Sequence, residues 1–210
     1  MSSTYASKTM DRRRFLLTVF GGGAALAVSS VTAIRLLGPG GKRNGVMTAA
    51  APVATPAQDL LLECFSDDDG HQLGPCHVTK LVLTDAQWHL RLSDVAFTVM
   101  RRDGTEVAFT GAHEKPRSKG LYRCAGCSTA LFDAATQFDS GTGWPSFWQP
   151  IAKQNVIESR DSSFGMIRTA INCAGCDSHL GHVFDDGPAP TGLRYCMNSV
   201  AMEFVAFRVS

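Results

Sequence analysis

The chain has 210 residues, of which 44% are hydrophobic and 19% charged, and its formal net charge is +1. This composition is ordinary for a globular protein with a real core, and the length suits one domain with extensions or two small domains. Because there is neither a basic stripe nor an acidic tail, nucleic acid is not an expected partner.

Residues 1–45 have the pattern of a targeting signal. Arg12, Arg13 and Arg14 precede a stretch, residues 15–34, that contains no charged side chain. This is the order of basic and apolar regions in a signal peptide. The consecutive arginines followed by Phe-Leu resemble the twin-arginine export signal of bacteria. We therefore expect an exported protein in the bacterial periplasm, or a membrane-anchored one if the signal stays uncleaved, since 20 uncharged residues can also cross a bilayer.

Residues 46–77 are interpreted as a flexible linker, because their Gly, Pro, Ala and Thr residues lack any period that could bury a face. Cys64 and Cys76 lie in its distal part, on either side of an acidic segment. A folded domain is expected over residues 78–210. Near its start, Thr84 and Gln87 have the spacing of a capping box, which predicts one or two short helices before Asp103.

From Gly120 onwards, short runs of aromatic and β-branched residues alternate with Gly, Asp, Asn and Pro. This spacing is typical of antiparallel strands joined by tight loops. The predicted fold is mainly β, with two antiparallel sheets that form a small open barrel or sandwich, stapled by zinc and preceded by short N-terminal helices.

Two Cys-x-x-Cys motifs have matching Ala-Gly interiors: Cys124 with Cys127, and Cys173 with Cys176. Two such knuckles can supply the four thiolates of a tetrahedral zinc site, which would be structural because it leaves no open coordination position. The alternative is a pair of redox dithiols or disulfides, which an oxidising compartment would permit. We predict one structural zinc ion and no organic cofactor.

Cys196 is the one cysteine in the second half of the chain outside these pairs. In a strand, Arg194, Cys196 and Asn198 would share one face because side chains alternate. A fixed cation beside a thiol favours the nucleophilic thiolate. Cys196 is therefore the candidate reactive centre, and a buried inert cysteine is the alternative.

Three strings accompany the double knuckle: GWPSF from Gly143, HLGHVFDDGP from His179 and GLRYCMNS from Gly192. Together they resemble the B-type methionine-R-sulfoxide reductase family, and the resemblance runs from about Thr79 to Phe207. It implies thiol-dependent reduction of one sulfoxide epimer of methionine and hence protein repair under oxidative stress. The implied partners are oxidised proteins or free methionine-R-sulfoxide and a thioredoxin-like or small-thiol reductant. Separately from the resemblance, we expect the chain to be a monomer.

In this resemblance Cys196 matches the nucleophile, which attacks the sulfoxide sulfur and becomes a sulfenic acid. Arg194 matches the cation that lowers the pKa of that thiol. Trp144 is expected to pack its indole ring against the substrate's methyl group, since aromatic rings and sulfur-bearing groups attract.

The resemblance also assigns an acid, because the sulfoxide oxygen must be protonated as it leaves sulfur. His179 and His182, one or both, match the family's histidines for this task. Asp186 and Asn198 are expected to orient the histidines and to hold the oxygen.

The sulfenic acid is usually cleared by a second, resolving cysteine. The two positions where the family usually places it are Thr142 and Thr110 in this sequence. This leaves Cys64 and Cys76 as candidate resolving residues, with Cys76 preferred because it lies nearer the folded domain. The competing arrangement is a Cys64–Cys76 disulfide, with small thiols reducing Cys196 directly.

Two other classes of function fit parts of the sequence. One is a zinc-stabilised binding module without catalysis, for which Cys196, His182 and Asn198 would be dispensable. The other is a thiol-disulfide oxidoreductase that uses a Cys-x-x-Cys motif directly, in which case chelation would not unfold the domain.

Overall fold

The computed structural model describes residues 58–116 and 119–208. The predicted signal and the first part of the predicted linker lie outside these residues. The strands are β1 (Asp59–Phe65), β2 (Gln72–Thr79), β3 (Gly120–Cys124), β4 (Ala130–Asp133), β5 (Gln137–Phe138), β6 (Ser146–Phe147), β7 (Val156–Asp161), β8 (Arg168–Cys173), β9 (His179–Phe184), β10 (Arg194–Met197) and β11 (Met202–Ala206). The helices are α1 (Asp85–Arg91) and α2 (Asp94–Arg102), and four short 3-10 turns complete the described part.

The strands form three antiparallel sheets. The largest has six strands in the order β5-β6-β10-β9-β8-β7, a second has the order β11-β3-β4, and β1 pairs with β2 in a separate hairpin. The prediction of a mainly β protein with antiparallel sheets and short N-terminal helices is confirmed. The hairpin is an addition that the sequence interpretation did not contain. No helix in the described ranges combines the length and apolar character needed to cross a bilayer.

The core lies where the two larger sheets and α2 meet. Tyr122, Phe132 and Phe147 are fully buried, and the Phe132 and Phe147 rings stack with their centroids 4.3 Å apart. Trp88 and Met100 bring the two helices into the same cluster. Strands β3, β4 and β9 bury consecutive residues, which means that both of their faces are covered, whereas burial alternates along β10.

The capping-box prediction is confirmed. The Thr84 hydroxyl accepts a hydrogen bond from the Gln87 backbone N–H, and the Gln87 side chain accepts one from the Thr84 N–H. Ser93 precedes helix α2, and its hydroxyl accepts a hydrogen bond from the Ala96 N–H; Asp103 follows the helix in the left-handed conformation, with φ of 54°. These caps satisfy backbone groups that the ends of short helices would otherwise leave unpaired.

The interpretation of residues 46–77 as a flexible linker is wrong for residues 58–77, because β1 and β2 form an ordered hairpin there. Leu62 is buried, and the Asn155 side chain accepts a hydrogen bond from the Glu63 N–H and donates one to the Glu63 carbonyl. Arg123 donates to the Phe65 carbonyl. These contacts with distant residues attach the hairpin to the domain, and a local composition argument cannot detect them.

Cys64 and Cys76 form a disulfide bond across this hairpin. The structure therefore has the alternative arrangement, in which the two cysteines are bonded to each other. The preferred interpretation, in which Cys76 or Cys64 resolves Cys196, does not hold in this state because a disulfide consumes both thiols.

Candidate active site and metal centre

The two Cys-x-x-Cys motifs converge on one point. The Sγ atoms of Cys124, Cys127, Cys173 and Cys176 all lie within 4.8 Å of one another. Two pairs join the motifs, with their sulfurs 3.6 Å apart for Cys124–Cys176 and 3.5 Å apart for Cys127–Cys173. Tetrahedral zinc–thiolate bonds of about 2.3 Å would place sulfurs about 3.8 Å apart, so the cluster fits a four-thiolate metal site. Two independent redox dithiols would not need the sulfurs of the two motifs to meet at one point.

The backbone of the two knuckles is the same. The Ser128 N–H donates to the Cys124 carbonyl and the Asp177 N–H to the Cys173 carbonyl, and Ser128 and Asp177 both adopt a left-handed conformation. Arg101 of α2 donates to the Cys176 carbonyl. The first knuckle follows β3 and the second follows β8, so a metal ion held here would join the two larger sheets.

Cys196 lies on β10, between β9 and β6, and is partly buried. Its direct neighbours across the sheet are His182 and Ser146. The Thr142 hydroxyl oxygen lies 4.0 Å from the Cys196 Sγ and is connected to Ser146 through Ser140. The thiol therefore faces hydroxyl groups on one side and an imidazole on the other.

A cavity of about 120 Å³ opens over Cys196. This is enough space for a small group such as a methyl sulfoxide. The Trp144 indole N–H donates to the Glu106 carbonyl, which fixes this ring at the cavity wall. The complete lining is Thr105, Trp144, Arg168, Gly181, His182, Phe184, Cys196, Met197 and Asn198.

Gly181 permits the close approach of β9 and β10 at the cavity. A Cβ atom at this position would lie 2.1 Å from the Cys196 carbonyl oxygen. Any side chain here would push β10 away from β9 and displace the thiol. The glycine in the His-Leu-Gly-His string is thus required by packing.

The two histidines line different cavities, although their rings are in contact. His182 lines the cavity over Cys196, whereas His179 lines a neighbouring polar cavity of about 290 Å³. Their rings meet edge-on with centroids 5.2 Å apart. Burial lowers the pKa of His179 to about 4 and also lowers the pKa of His182. Both rings are therefore neutral at pH 7, and of the two only His182 lines the cavity together with Cys196.

The predicted role of Asp186 in orienting the histidines is wrong. Its carboxylate accepts two hydrogen bonds from Arg194, at 2.9 Å and 2.8 Å, and these lower its pKa. The carboxylate that contacts a histidine is that of Asp161, whose Oδ2 atom lies 2.8 Å from the His182 Nε2 atom. Asp161 stands 21 residues before His182, and only the β7–β8–β9 register brings them together.

Asn198 lines the cavity, but within the described part of the chain its side chain forms no hydrogen bond with either histidine. Its Oδ1 atom accepts from the Glu106 N–H, and its Nδ2 atom donates to the Leu180 carbonyl. The buried Glu106 carboxylate in turn accepts from the N–H groups of Ser199 and Val200. Asn198 and Glu106 thus hold the segment that follows Cys196, and the sequence interpretation had missed Glu106.

Arg194 lies beside Cys196 as predicted, but it does not by itself produce a thiolate. Burial raises the pKa of the Cys196 thiol, while Arg194 and the hydroxyls of Thr142 and Ser146 lower it, and burial has the larger effect. The bidentate pair with Asp186 also neutralises much of the guanidinium charge. The resting thiol is therefore protonated at neutral pH.

This protonation state predicts the pH dependence of alkylation. We expect the rate at which iodoacetamide modifies Cys196 to rise with pH, with a midpoint at higher pH than for a cysteine in a short model peptide, because only the thiolate reacts. Mass spectrometry of the modified peptide measures this rate, with Cys196→Ser as the blank. A midpoint at lower pH than for the model peptide would show that Arg194 lowers the pKa of Cys196 by more than burial raises it.

The fold and this geometry define a class of protein: an antiparallel β domain with a cluster of four cysteines that could hold a metal ion and a separate cysteine in a small cavity. The SelR domain model matches residues 92–206, more than half of the chain. The chain belongs to the SelR, or methionine-R-sulfoxide reductase B, family and is an oxidoreductase that acts on a sulfur group.

Curated relatives agree with this assignment. The chain is 52% identical over 126 residues to "Peptide methionine sulfoxide reductase MsrB" of Pseudomonas syringae pv. syringae, covering 60% of this chain and 96% of the relative. It is 53% identical over 124 residues to the protein of the same name from Pseudomonas putida, covering 59% and 95%. A third such protein, from Bradyrhizobium diazoefficiens, is 51% identical over 124 residues, covering 59% and 89%.

Proposed function

We propose that this protein reduces methionine-R-sulfoxide to methionine with Cys196 as the nucleophile, and that it repairs oxidised proteins in this way. The observation that carries the proposal is the convergence of Cys196, His182 and Trp144 on one cavity of about 120 Å³. The names of the relatives support the same substrate class, methionine sulfoxide.

The chemistry transfers one oxygen atom between two sulfurs. The Cys196 sulfur attacks the sulfoxide sulfur, the sulfur–oxygen bond of the substrate breaks, and methionine leaves. The oxygen and one proton end on Cys196 as a sulfenic acid. Cysteine sulfur is oxidised by two electrons and methionine sulfur is reduced by two.

Trp144 is suited to hold the methyl group of the substrate. Its ring is half-buried at the cavity wall and is fixed by the hydrogen bond to the Glu106 carbonyl. A fixed aromatic face attracts a methyl group next to sulfur. This contact would orient the sulfoxide so that its oxygen points towards the polar side of the cavity, where His182 and Arg168 lie.

A second thiol must reduce the sulfenic acid. Thr142 occupies the loop position next to Cys196, and the two N-terminal cysteines are bonded to each other. We therefore propose that a thioredoxin-like or small-thiol reductant attacks Cys196 directly. This step forms a mixed disulfide and water, and a second thiol then releases the Cys196 thiolate.

A double variant tests the role of the N-terminal disulfide. Cys64→Ser with Cys76→Ser is expected to retain wild-type turnover with a small dithiol, because neither sulfur takes part. The same variant should lose up to about 3 kcal/mol of stability, since the bond closes a loop of 12 residues. Steady-state kinetics and urea unfolding measure the two effects. A large drop in turnover, or a Cys196 disulfide with either residue after one cycle, would restore the resolving role.

The four-cysteine cluster is proposed to hold one zinc ion with a structural role. Sulfur ligands at tetrahedral spacing favour zinc, and four protein ligands leave no position for substrate. The thiol that carries the chemistry, Cys196, does not belong to the cluster.

Location outside the cytoplasm is also proposed, from the arginine-rich signal of residues 1–45. The Cys64–Cys76 disulfide supports it, because such bonds persist in oxidising compartments such as the periplasm. Export in a folded state would allow the metal to be bound before the other thiols meet oxidants. Fractionation of cells that produce the full chain, compared with Arg12→Lys, Arg13→Lys and Arg14→Lys together, tests this location.

The proposed reaction is tested by turnover of the separate R and S epimers of a methionine sulfoxide peptide with a dithiol reductant. We expect reduction of the R epimer alone. Equal turnover of both epimers, or no turnover by a metal-loaded sample, would contradict the proposal.

A further inference from the structure

Asp161, at the end of β7, is a residue to which neither the sequence motifs nor the family match assigns a role. We propose that Asp161 is a positioning residue that fixes the tautomer of His182, so that His182 begins the reaction as the acceptor of the Cys196 proton. This inference rests on the proposed sulfoxide reduction and specifies how its proton moves.

The carboxylate of Asp161 is held from several sides. Its Oδ1 atom accepts from the Ser163 N–H at 2.8 Å, and its Oδ2 atom accepts from Arg168 at 2.6 Å. Arg168 stands opposite Asp161 in the β7–β8 register, so the ion pair is fixed by the sheet. The side chain is only 19% exposed. Asp161 therefore presents one defined oxygen to His182 at 2.8 Å.

An ionised carboxylate can only accept hydrogen bonds, so the ring nitrogen that faces it must carry the proton. The hydrogen bonds from Ser163 and from His182 keep the pKa of Asp161 far below its usual range, which ensures ionisation. The proton of the neutral His182 ring is thus on Nε2, and Nδ1 has a free lone pair. Within residues 58–116 and 119–208, no hydrogen bond engages that Nδ1 atom.

The free nitrogen belongs to a ring beside the thiol. His182 and Cys196 are direct partners in the antiparallel β9–β10 pair, so their side chains project on the same side of the sheet, and both line the cavity. Directly opposed residues in such a pair have Cβ atoms about 5 Å apart. A neutral imidazole with an unprotonated nitrogen must first accept a proton, as a base, before it can donate one as an acid.

This order of proton transfers accounts for the one proton that the reaction moves. The resting Cys196 thiol is protonated, and the product sulfenic acid carries one proton on oxygen, so the thiol supplies the proton that the oxygen needs. His182 takes it from sulfur as Cys196 attacks and returns it to the sulfoxide oxygen as that oxygen moves to Cys196. The Asp161 charge stabilises the intermediate imidazolium, the role that a buried carboxylate has in a Ser-His-Asp triad.

The test combines two readouts on the metal-loaded full chain. Nitrogen-15 NMR of the imidazole rings in the wild type should show His182 protonated on Nε2 at pH 7. Asp161→Asn should lower kcat for the sulfoxide peptide by about 10²-fold with KM within about twofold, the size typical of a lost proton-transfer group. A structural role alone would not set the tautomer and would not separate kcat from KM.

Asp59→Asn is the matched control. Asp59 forms the same kind of carboxylate–histidine pair, with its Oδ2 atom 2.7 Å from the His77 Nδ1 atom, but both side chains are exposed and neither lines the cavity over Cys196. We expect it to keep wild-type kcat. A wild-type His182 protonated on Nδ1, or an Asp161→Asn variant with kcat within about threefold of the wild type, would overturn the inference. An inactive wild type would refute the proposed reaction instead, and the NMR result would still decide the tautomer.

Discussion

Replacing Cys196 with serine is expected to lower turnover of methionine-R-sulfoxide by at least about 10³-fold. A serine hydroxyl stays protonated at pH values far above neutral, and it is a much poorer nucleophile towards sulfur than a thiol. The substitution changes one atom of a partly buried side chain. The loss should therefore be in kcat, with only a small change in substrate affinity. Coupled consumption of the reductant, followed with the R-epimer peptide, measures it.

The control for this variant is Cys64→Ser with Cys76→Ser, which makes the same chemical change away from the cavity. It should keep its turnover, while Cys196→Ser should keep its metal content and its circular dichroism spectrum. Residual activity of Cys196→Ser above a few per cent of the wild type would show that another residue is the nucleophile. A variant that lost both activity and fold would show only that Cys196 is needed for packing.

Removing the metal is expected to unfold the domain. Four thiols within 4.8 Å of one another would, as thiolates, repel strongly without a central cation. The two knuckles end strands of different sheets, so losing the metal also disconnects β3 from β8. Structural zinc contributes apparent free energies of about 10–16 kcal/mol in small zinc-binding peptides, which exceeds the stability of most domains. A strong chelator should therefore abolish the folded circular dichroism signal, and Cys173→Ser should accumulate as unfolded protein.

Elemental analysis should find one zinc ion per chain in the wild type and in Cys196→Ser. The Cys196→Ser protein is the matched control, since it loses a cysteine that does not belong to the cluster. A metal-free sample that stayed folded would mean that disulfides or packing alone hold the knuckles, and this would favour the redox alternative for the two Cys-x-x-Cys motifs.

Most of the candidate site could be predicted from the sequence because its parts are short motifs with fixed local geometry. The matched Cys-x-x-Cys turns, the capping box at Thr84 and the alternation around Cys196 each depend on residues within a few positions. Asp161 and Glu106 could not be found in this manner. Each contacts its site residues only through strand register or a loop that returns across the sheet.

The two corrections have the same physical origin. The family resemblance assigned Asp186 to orient the histidines, but in the folded chain Arg194 donates hydrogen bonds to both of its carboxylate oxygens. The acidic segment between Cys64 and Cys76 suggested a flexible arm. Its flanking strands are ordered because Asn155 and Arg123, far along the chain, satisfy their backbone groups.

The sequence by itself determined the chemistry that is available: a lone cysteine beside an arginine, two paired-cysteine turns that can hold a metal, and the motif strings that identify the family. These depend on residue type and short spacing, which the chain carries in any conformation. The tertiary structure decided which groups serve that cysteine. Burial sets the protonation of Cys196, and sheet register gives His182 its carboxylate partner, Asp161. Both depend on groups that are distant in sequence and adjacent only after folding.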